Sequence, residues 1–227
     1  MILRRYWLYR QGVTAKRTYD ATKRRERAED ERRATRRRVV DAARRLFVAN
    51  GYTATTMADI AAEAGVAMQS VYKAGRSKAD LLQRVVEVVV AGDDQDVLVT
   101  KRPPVAAVAE ETDPERQLEM IAAMIGATQE RSAPVQIAFR EAAAVDATVA
   151  ENLTAELDRR HQAFVKIFGL IPKDRLRGSP RESATTAWAI GSTEVFLLLR
   201  VHRGWTAKRY VEWLTRSLAD VLLVPEA

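Results

Sequence analysis

The fold is decided by residues 56–73, which read TMADIAAEAGVAMQSVYK. The apolar side chains of its first half recur at the spacing of one helix face: Met57, Ile60, Ala61 and Ala64. Thr55 or Thr56 is a suitable N-cap, and Gly65 provides a tight turn before a second short helix over residues 67–73. The stretch therefore predicts a helix-turn-helix.

Helical patterns continue on both sides of this stretch. Upstream, from about Thr35, one face carries the apolar residues Val39, Ala43, Leu46 and Phe47. That helix is expected to end at Asn50-Gly51, because glycine accepts the left-handed conformation common at helix ends. Downstream, Ser77 caps a longer helix, and Pro103-Pro104 interrupts its continuation. We therefore predict one helical domain over residues 33–92.

The rest of the chain, residues 93–227, is also expected to be helical. Helix starts and ends are predicted for five segments: from Asp113-Pro114, from Ser132 through Phe139, from Ala147 to Ile171, from Ser179-Pro180 to Arg203, and from Thr206 onwards. No convincing strand or internal repeat is visible in the pattern. The predicted fold class is all-α.

Composition excludes several kinds of site. The chain has no Cys and only two His, far apart at His161 and His202. Disulfides, thiolate metal sites and a Cys nucleophile are therefore excluded, and a His-based metal site or catalytic triad has little material. We expect neither a metal nor a cofactor. No apolar run approaches the roughly 18 residues of a membrane span, and arginines interrupt the N-terminus, so we expect a cytoplasmic protein without a membrane segment.

The positive charge is concentrated at the N-terminus. Residues 1–40 contain 14 Lys and Arg against 5 Asp and Glu, whereas the remaining residues contain 23 against 25. A basic segment over residues 1–32, part of which can be disordered, is typical of proteins that bind the DNA phosphate backbone. Its candidates for following a groove or the backbone are Arg17, Tyr19, Lys23, Arg24, Arg25 and Arg27. The alternative is a helical extension or tail that only contacts solvent.

A longer series of motifs surrounds the helix-turn-helix, in the order Leu46-Phe47, Asn50-Gly51-Tyr52, Thr55-Thr56, Ile60-Ala61, Ala64-Gly65-Val66, Val71-Tyr72, Ser77-Lys78 and Leu81. In order and spacing this series resembles the DNA-binding domain of the TetR family of bacterial regulators, over about residues 33–90. The resemblance implies that the third helix enters the major groove of double-stranded DNA. The alternative is a structural helical hairpin without a ligand.

Carried over by position, the resemblance gives two sets of candidate DNA contacts. The residues expected to face the groove are Met68, Gln69, Ser70 and Lys73. Gln69 can make a bidentate contact to adenine, Lys73 can reach guanine, and Met68 can contact a thymine methyl. The residues expected to contact phosphates are Thr55, Thr56, Tyr72 and Lys78. For each of them, the alternative is a solvated surface residue.

Two positions depart from the family pattern. The family usually has Ser or Thr where this chain has Ala67, so the side-chain cap of the third helix is expected to be missing. The family often has an aromatic residue where this chain has Ala74-Gly75. The chain is therefore expected to lack a core anchor here and to have a flexible joint instead.

The C-terminal half resembles the ligand-binding and dimerisation region of a TetR subgroup, at Glu194-Val195-Phe196, Gly204-Trp205, Tyr210 and Trp213-Leu214. The resemblance implies a homodimer formed by the last two helices, with candidate interface residues Gly191, Phe196, Tyr210, Trp213, Leu214 and Leu218. The alternative is a monomer that buries these faces internally. Candidate residues for an effector pocket, each of which can also be plain core, are Met120, Met124, Phe139, Arg140, His161, Phe164, Phe168 and Trp188.

Together these patterns predict a DNA-binding regulator rather than an enzyme. The expected function is a ligand-responsive repressor that binds a palindromic operator as a dimer, with an unidentified small molecule, mostly apolar or aromatic, as effector. One alternative is an architectural protein that binds DNA without sequence preference. Another is a helical enzyme with a basic head, against which the sequence offers no phosphate-binding glycine loop or nucleophile motif, and Glu141 and Glu194 have no evident partner.

Overall fold

The computed structural model describes residues 3–94, 97 and 101–225, with side chains from residue 23 onwards. Its α-helices are α1 (Leu3–Ala54), α2 (Met57–Ala64), α3 (Met68–Ala74), α4 (Lys78–Ala91), α5 (Pro103–Glu110), α6 (Pro114–Ala143), α7 (Ala147–Phe168), α8 (Pro180–Ile190), α9 (Thr193–Leu197) and α10 (Ala207–Leu222). A 3₁₀ turn spans Lys173–Arg175 and a π-helical turn spans Leu198–His202. These ranges contain no β-strand, only an isolated bridge between Leu176 and Leu223. The all-α prediction is confirmed.

Helix α1 begins far upstream of its predicted start at Thr35. It extends through the basic segment, and most side chains from Lys23 to Arg38 are exposed. The predicted end at Asn50-Gly51 corresponds to a kink three residues before the end of α1. Gly51 leaves the helical conformation there, at φ 77° and ψ 169°. A positive φ favours glycine, since a Cβ would be strained there. The side chains of Arg17 and Tyr19, two of the predicted groove-following residues, lie outside those that the structure describes.

Helices α1 to α4 form the N-terminal domain around one apolar core. Its fully buried members include the residues predicted to face inward, among them Val39, Phe47, Ile60, Val71 and Leu81. The same core also contains Val135, Phe139, Ala142 and Val149, from α6 and α7. The N-terminal domain therefore shares part of its core with the rest of the chain. Phe139, predicted to line an effector pocket, belongs to this shared core.

Helix α6 is continuous, although two helices were predicted across it. Pro134 lies inside it, and its neighbours Ala133 and Val135 are both buried. An interior proline costs roughly 3 kcal/mol because it removes a hydrogen bond and crowds the preceding turn. Burial of apolar side chains on both sides offsets that cost. Pro103 also differs from the prediction, because it starts α5 at a position where its missing N–H is not needed.

The helix predicted from Ser179 to Arg203 is divided in two. Ser179 caps α8 with a capping box to Glu182, as the sequence pattern indicates. The helix ends at Ile190, and Ser192 starts α9 by accepting a hydrogen bond from the backbone N–H of Val195. Gly191 lies against α6, where a Cβ would be 3.0 Å from the Ile125 side chain. The chain thus bends at a point of close helix packing.

Most of the predicted dimer residues lie in a second core inside the protomer. Phe196, Tyr210, Leu214 and Leu218 are buried there with residues of α6, α7 and α8, and Gly191 is buried as well. Trp213 is half-buried against the same core. The interface prediction is therefore wrong for the buried residues, because side chains enclosed within one chain cannot contact a second chain. They follow the alternative of internal burial.

The segment predicted as a flexible joint between α3 and α4 is a close backbone contact. Gly75 is buried, and a Cβ built on it would be 2.8 Å from the backbone N and Cα of Leu81. Glycine is needed here because no side chain fits, and not because the chain needs freedom. The joint is a tightly packed corner that fixes α3 against α4.

Gly75→Ala is expected to lower the free energy of unfolding by about 1–3 kcal/mol, since the new methyl group must displace the backbone of α4. Urea denaturation followed by circular dichroism measures the change. Gly178→Ala is the matched control, because its Cβ would meet the side chain of Glu182, with Oε2 at 3.1 Å, and not the backbone of another helix. Equal stability of the two variants would contradict a packed corner at Gly75.

Candidate functional site

The helix-turn-helix is held by local hydrogen bonds that its own sequence provides. The Thr56 hydroxyl accepts from the backbone N–H of Asp59 at 3.1 Å, and the Thr56 backbone N–H donates to the Asp59 carboxylate at 2.9 Å. The Thr56 hydroxyl, which also donates to the Asp59 carboxylate, and then the Thr56 backbone N–H lower the pKa of Asp59. Gly65 then turns the chain in the left-handed conformation at φ 62° and ψ 44°. The predicted N-cap at Thr56, completed by a capping box with Asp59, and the predicted glycine turn therefore set the start of α2 and its exit into α3.

The outer face of α3 carries the residues predicted to read DNA. Val71 is fully buried and anchors the helix, whereas Met68 is 38% exposed and Tyr72 is 50% exposed. Gln69 and Lys73 are also exposed, and Ser70 is half-buried. The structure thus brings these side chains to one solvent-facing surface, which we call the α3 face. It consists of Met68, Gln69, Ser70, Tyr72 and Lys73.

The predicted phosphate contacts divide into different environments. Thr56 is exposed at the start of α2, and its hydroxyl donates to Asp59 at 2.7 Å. Thr55 is only 1% exposed, and its hydroxyl donates to the carbonyl of Gly51 at 2.8 Å. The Thr55 prediction is therefore wrong: its side chain closes the turn after α1 and has no surface for DNA.

Lys78 has an internal role that its sequence position did not reveal. Its ammonium group donates to the carbonyl of Tyr52 at 2.9 Å and lies 4.2 Å from the centroid of the Tyr52 ring. A cation over an aromatic face is attracted by the negative face of the ring. Lys78 thus ties the start of α4 to the end of α1, and its contact with DNA stays a prediction.

The start of α3 lacks a side-chain cap, as the sequence indicates. Ala67 occupies the N-cap position in an extended conformation, and no side chain there accepts a hydrogen bond from the helix. The position of α3 instead depends on buried contacts at its centre, Val71, and at its C-terminal end, Gly75. Tertiary packing replaces the local cap.

A hydrogen bond joins the N-terminal domain to α7. The hydroxyl of Tyr52 donates to the carboxylate of Asp146 at 2.7 Å, and Asp146 also caps α7 by accepting from the backbone N–H of Val149. The Tyr52 bond and then the Val149 bond lower the pKa of Asp146. Burial, followed by the same carboxylate, raises the pKa of Tyr52. This bond couples the end of α1 to the start of α7.

A cavity of about 1230 Å³ lies between α4, α5, α6 and α7. Three residues predicted for an effector pocket line it: Met124, Phe164 and Phe168. A volume of this size accommodates a small organic molecule, because known ligand sites commonly measure a few hundred to about 1,000 Å³. The α4 residues in its wall also continue into the N-terminal core.

The other predicted pocket residues lie elsewhere. Met120 packs against the second core, and His161 contacts Thr185 at 2.9 Å with its ring edge-on to Trp188. Arg140 forms an ion pair with Glu194 at 2.7 Å. None of these side chains lines the described cavity. Met120, Arg140, His161 and Trp188 therefore lie outside this cavity, as does Phe139, and their part in an effector pocket stays a prediction.

Sequence reasoning missed the polar residues of the cavity wall. Gln129, Arg131 and Arg160 line it, and Arg131 donates to the carbonyls of Val89 and Val90 at 2.9 and 2.8 Å. The lining residues of α6 recur every three or four positions, which is a detectable signal. The break predicted at Ser132 divided this pattern and hid it.

The described residues contain neither a metal-binding cluster nor a membrane-spanning helix. In that part of the chain, no three or more His, Cys, Asp or Glu residues are placed to hold a metal ion. None of the described helices combines the length and apolarity needed to span a membrane.

The chain is similar to known bacterial regulators in sequence and in fold. Residues 39–85 match the family model for bacterial regulatory proteins of the tetR family. No curated protein matches the chain. Among solved structures, a putative TetR-family transcriptional regulator from Mesorhizobium loti covers 85% of this chain and 98% of its own, with a TM-score of 0.65 and 18% identity.

Two further structures have the same fold. NalD, the secondary repressor of the MexAB-OprM multidrug efflux pump in Pseudomonas aeruginosa, is 23% identical with a TM-score of 0.62, over 83% of this chain and 96% of NalD. A putative transcriptional regulator from Saccharomonospora viridis, solved in complex with choline, is 20% identical with a TM-score of 0.61, over 84% of this chain and 98% of that one.

Gln69→Ala is expected to weaken binding to the preferred DNA sequence by about 1–3 kcal/mol, because a bidentate contact to a base is lost. Binding to random DNA should change little, since it depends on phosphate contacts. Fluorescence anisotropy with both DNAs, at one salt concentration, measures the two effects. Gln162→Ala, an exposed glutamine of α7, is the matched control. An unchanged preference in Gln69→Ala would remove this residue from sequence readout.

Tyr52→Phe is expected to lower the free energy of unfolding at pH 7 by about 1 kcal/mol, near the low end for a bond to a charged group because Asp146 is accessible to solvent. The lowered pKa of Asp146 means that its bond stabilises the fold above the unfolded pKa of about 3.9 and is lost as pH falls through the folded value. Urea denaturation from pH 7 to pH 2.5 should therefore show the two proteins converging in acid. A constant difference across that range would mean that the charge of Asp146 contributes nothing.

Proposed function

We propose that this chain is a TetR-family regulator, a ligand-responsive repressor that binds a palindromic operator as a homodimer, since residues 39–85 match the model of that family and the fold is that of its solved regulators. The observation that carries the proposal is the α3 face, whose exposed Gln69 and Lys73 lie on a helix anchored by buried Val71. Side chains of these types can read base edges in the major groove. Members of the family are non-enzymatic, so the alternative of a helical enzyme is dropped.

A second copy of the chain is the proposed partner of an exposed apolar surface near the C-terminus. Leu198 is 57% exposed, Val201 is 65% exposed and Val221 is 49% exposed. In the same C-terminal part of the chain Trp205 and Trp213 are half-buried, with ring centroids 6.0 Å apart. Such a surface is stabilised when a two-fold related copy removes it from water. The dimer surface proposed here is thus the outer edge of the π-helical turn and α10, and not the buried residues of the earlier prediction.

The cavity is the proposed effector site, since its wall is connected to the N-terminal domain. Arg131 joins α6 to the last turn of α4, and the earlier part of α4 lies in the core under α3. A ligand that favours one position of α4 would change the separation of the two α3 faces in a dimer. The size of this effect is limited by the difference in ligand affinity between the conformation that binds DNA and the one that does not.

Relatives of similar fold are consistent with this scheme. NalD is described as a repressor, and the Saccharomonospora viridis regulator was solved in complex with a small molecule, choline. By analogy, repression and a small-molecule effector are proposed for this chain. A regulator that acts on chromosomal DNA works in the cytoplasm, which is the proposed location.

An architectural role is the second candidate. The observation in its favour is the exposed basic surface of α1 from Lys23 to Arg38, which can bind phosphates without reading sequence. The two candidates differ in a measurable property, because a regulator prefers its site over random DNA by about a thousand-fold or more.

Selection of bound sequences from a random DNA pool tests the function. The expected result is an inverted repeat whose half-sites lie about one helical turn, or a multiple of it, apart. Competition with random DNA then measures the preference, and a compound screen on the selected DNA identifies molecules that release it. Equal affinity for all sequences would contradict a regulator and favour the architectural role.

Val201→Glu tests the dimer in the same assays. A charge on the exposed apolar surface is expected to make the protein monomeric in light scattering and to weaken binding to the inverted repeat more than to a single half-site. Val145→Glu is the matched control, because Val145 is 69% exposed in the connection between α6 and α7. A Val201→Glu protein that stays dimeric would place the interface elsewhere.

A further inference from the structure

The cavity wall contains more cationic than anionic side chains. Six arginines and four carboxylates line it. Most of these charges are already satisfied: Arg102 pairs with Asp93 at 2.8 Å, and Arg159 pairs with Glu156 at 2.7 Å. Arg84 and Arg36 share Asp94. The two other arginines of the wall are Arg131 and Arg160.

Arg131 is held by hydrogen bonds rather than by a counter-ion, because carbonyl oxygens accept from its guanidinium group. Its guanidinium donates to Val89, Val90 and Ala127, and to the hydroxyl of Thr128. These bonds use its donors for the connection between α6 and α4. Arg131 is therefore a structural residue of the wall.

Arg160 differs from the other arginines of the cavity. Its Nη2 donates to the carbonyl of Gly191 at 2.6 Å, and no carboxylate of the described residues forms an ion pair with it. Glu194, an acidic group whose charge acts on Arg160, is paired with Arg140 at 2.7 Å. Burial and then the charge of Arg140 lower the pKa of Arg160. Arg160 is half-buried, and a cation partly withdrawn from water without a counter-ion is costly, so an anion beside it reduces that cost.

The surface next to Arg160 is apolar and aromatic. The guanidinium carbon lies 5.4 Å from the centroid of the Phe164 ring, and the rings of Phe164 and Phe168 are stacked 6.4 Å apart. Met124 and Ile121 continue the wall on the side of α6. A molecule with a charged end and an apolar body matches this arrangement, in which one cation adjoins a hydrophobic wall.

We propose that the cavity binds an organic anion whose carboxylate pairs with Arg160 and whose apolar body lies against Phe164 and Phe168. The inference rests on the proposed function of this cavity as the effector site and names the chemical class of the effector. A cationic ligand is disfavoured, because the wall has an excess of positive charge and its buried carboxylate Glu156 already accepts two hydrogen bonds from Arg159. Burial also raises the pKa of Glu156, which further weakens it as a partner for a cation.

The test compares ligands that differ only in charge. The full-length protein without DNA is titrated by calorimetry with 4-phenylbutyrate, the neutral 4-phenylbutyramide and the cationic 4-phenylbutylammonium. The anion is expected to bind about 10-fold or more tightly than the amide, since a hydrogen-bonded ion pair replaces a neutral contact. Arg160→Gln should remove that preference, so that the anion binds no more tightly than the amide, and Arg160→Lys should retain part of it.

Arg181→Gln, which removes an exposed arginine of α8, is the matched control and should leave all three affinities unchanged. Three results would overturn the inference: equal or weaker binding of the anion in the wild-type protein, a preference that survives Arg160→Gln, or no binding of any of the three probes. The comparison within the wild-type protein requires no variant, so an unstable Arg160→Gln protein does not prevent a decision. Operator selection and the compound screen are independent of these titrations, so a failed charge preference is distinguishable from a failed regulator.

Discussion

The packing of α6 into the core of the N-terminal domain is the constraint on which the rest of the structure depends. Val135, Phe139 and Ala142 are buried among residues of α1 and α4, in the same core that holds Ile60 and Val71 under the helix-turn-helix. Burial of large apolar side chains stabilises such contacts by about 1.5–3 kcal/mol each. Because both parts of the chain share this core, the orientation of α3 follows the position of α6.

Polar contacts restrict the positions that the packed helices can take. Tyr52 bonds to Asp146 at one side of the junction, and Arg131 bonds to the last carbonyls of α4 at another. Apolar packing tolerates small sliding movements, whereas hydrogen bonds to fixed partners allow few positions. The arrangement connects the cavity wall to the α3 face through α4 and α6, and this is the physical route by which a bound ligand can bias DNA binding.

Local patterns predicted the helix-turn-helix in detail. Thr56, Asp59 and Gly65 act within a few residues of their own position, so their cap and turn follow from short-range chemistry. Pro134 shows the limit of the same reasoning, because a helix breaker is tolerated where burial on both sides outweighs its cost. Thr55 was assigned to phosphate contact although its hydroxyl closes a turn; position alone does not distinguish an exposed threonine from a buried one.

The amino-acid sequence by itself determined the all-α class, the helix-turn-helix, the candidate residues of the α3 face and the relationship to a family of regulators. Helix periodicity, capping and glycine turns are local, and a basic N-terminus is visible in composition. Only the tertiary structure decided which apolar helix faces are internal, so that Tyr210 and Leu214 became core and Val201 became surface. It also decided that Arg160 forms no ion pair with a carboxylate of the described residues, because charge pairing depends on distances between helices that are far apart along the chain.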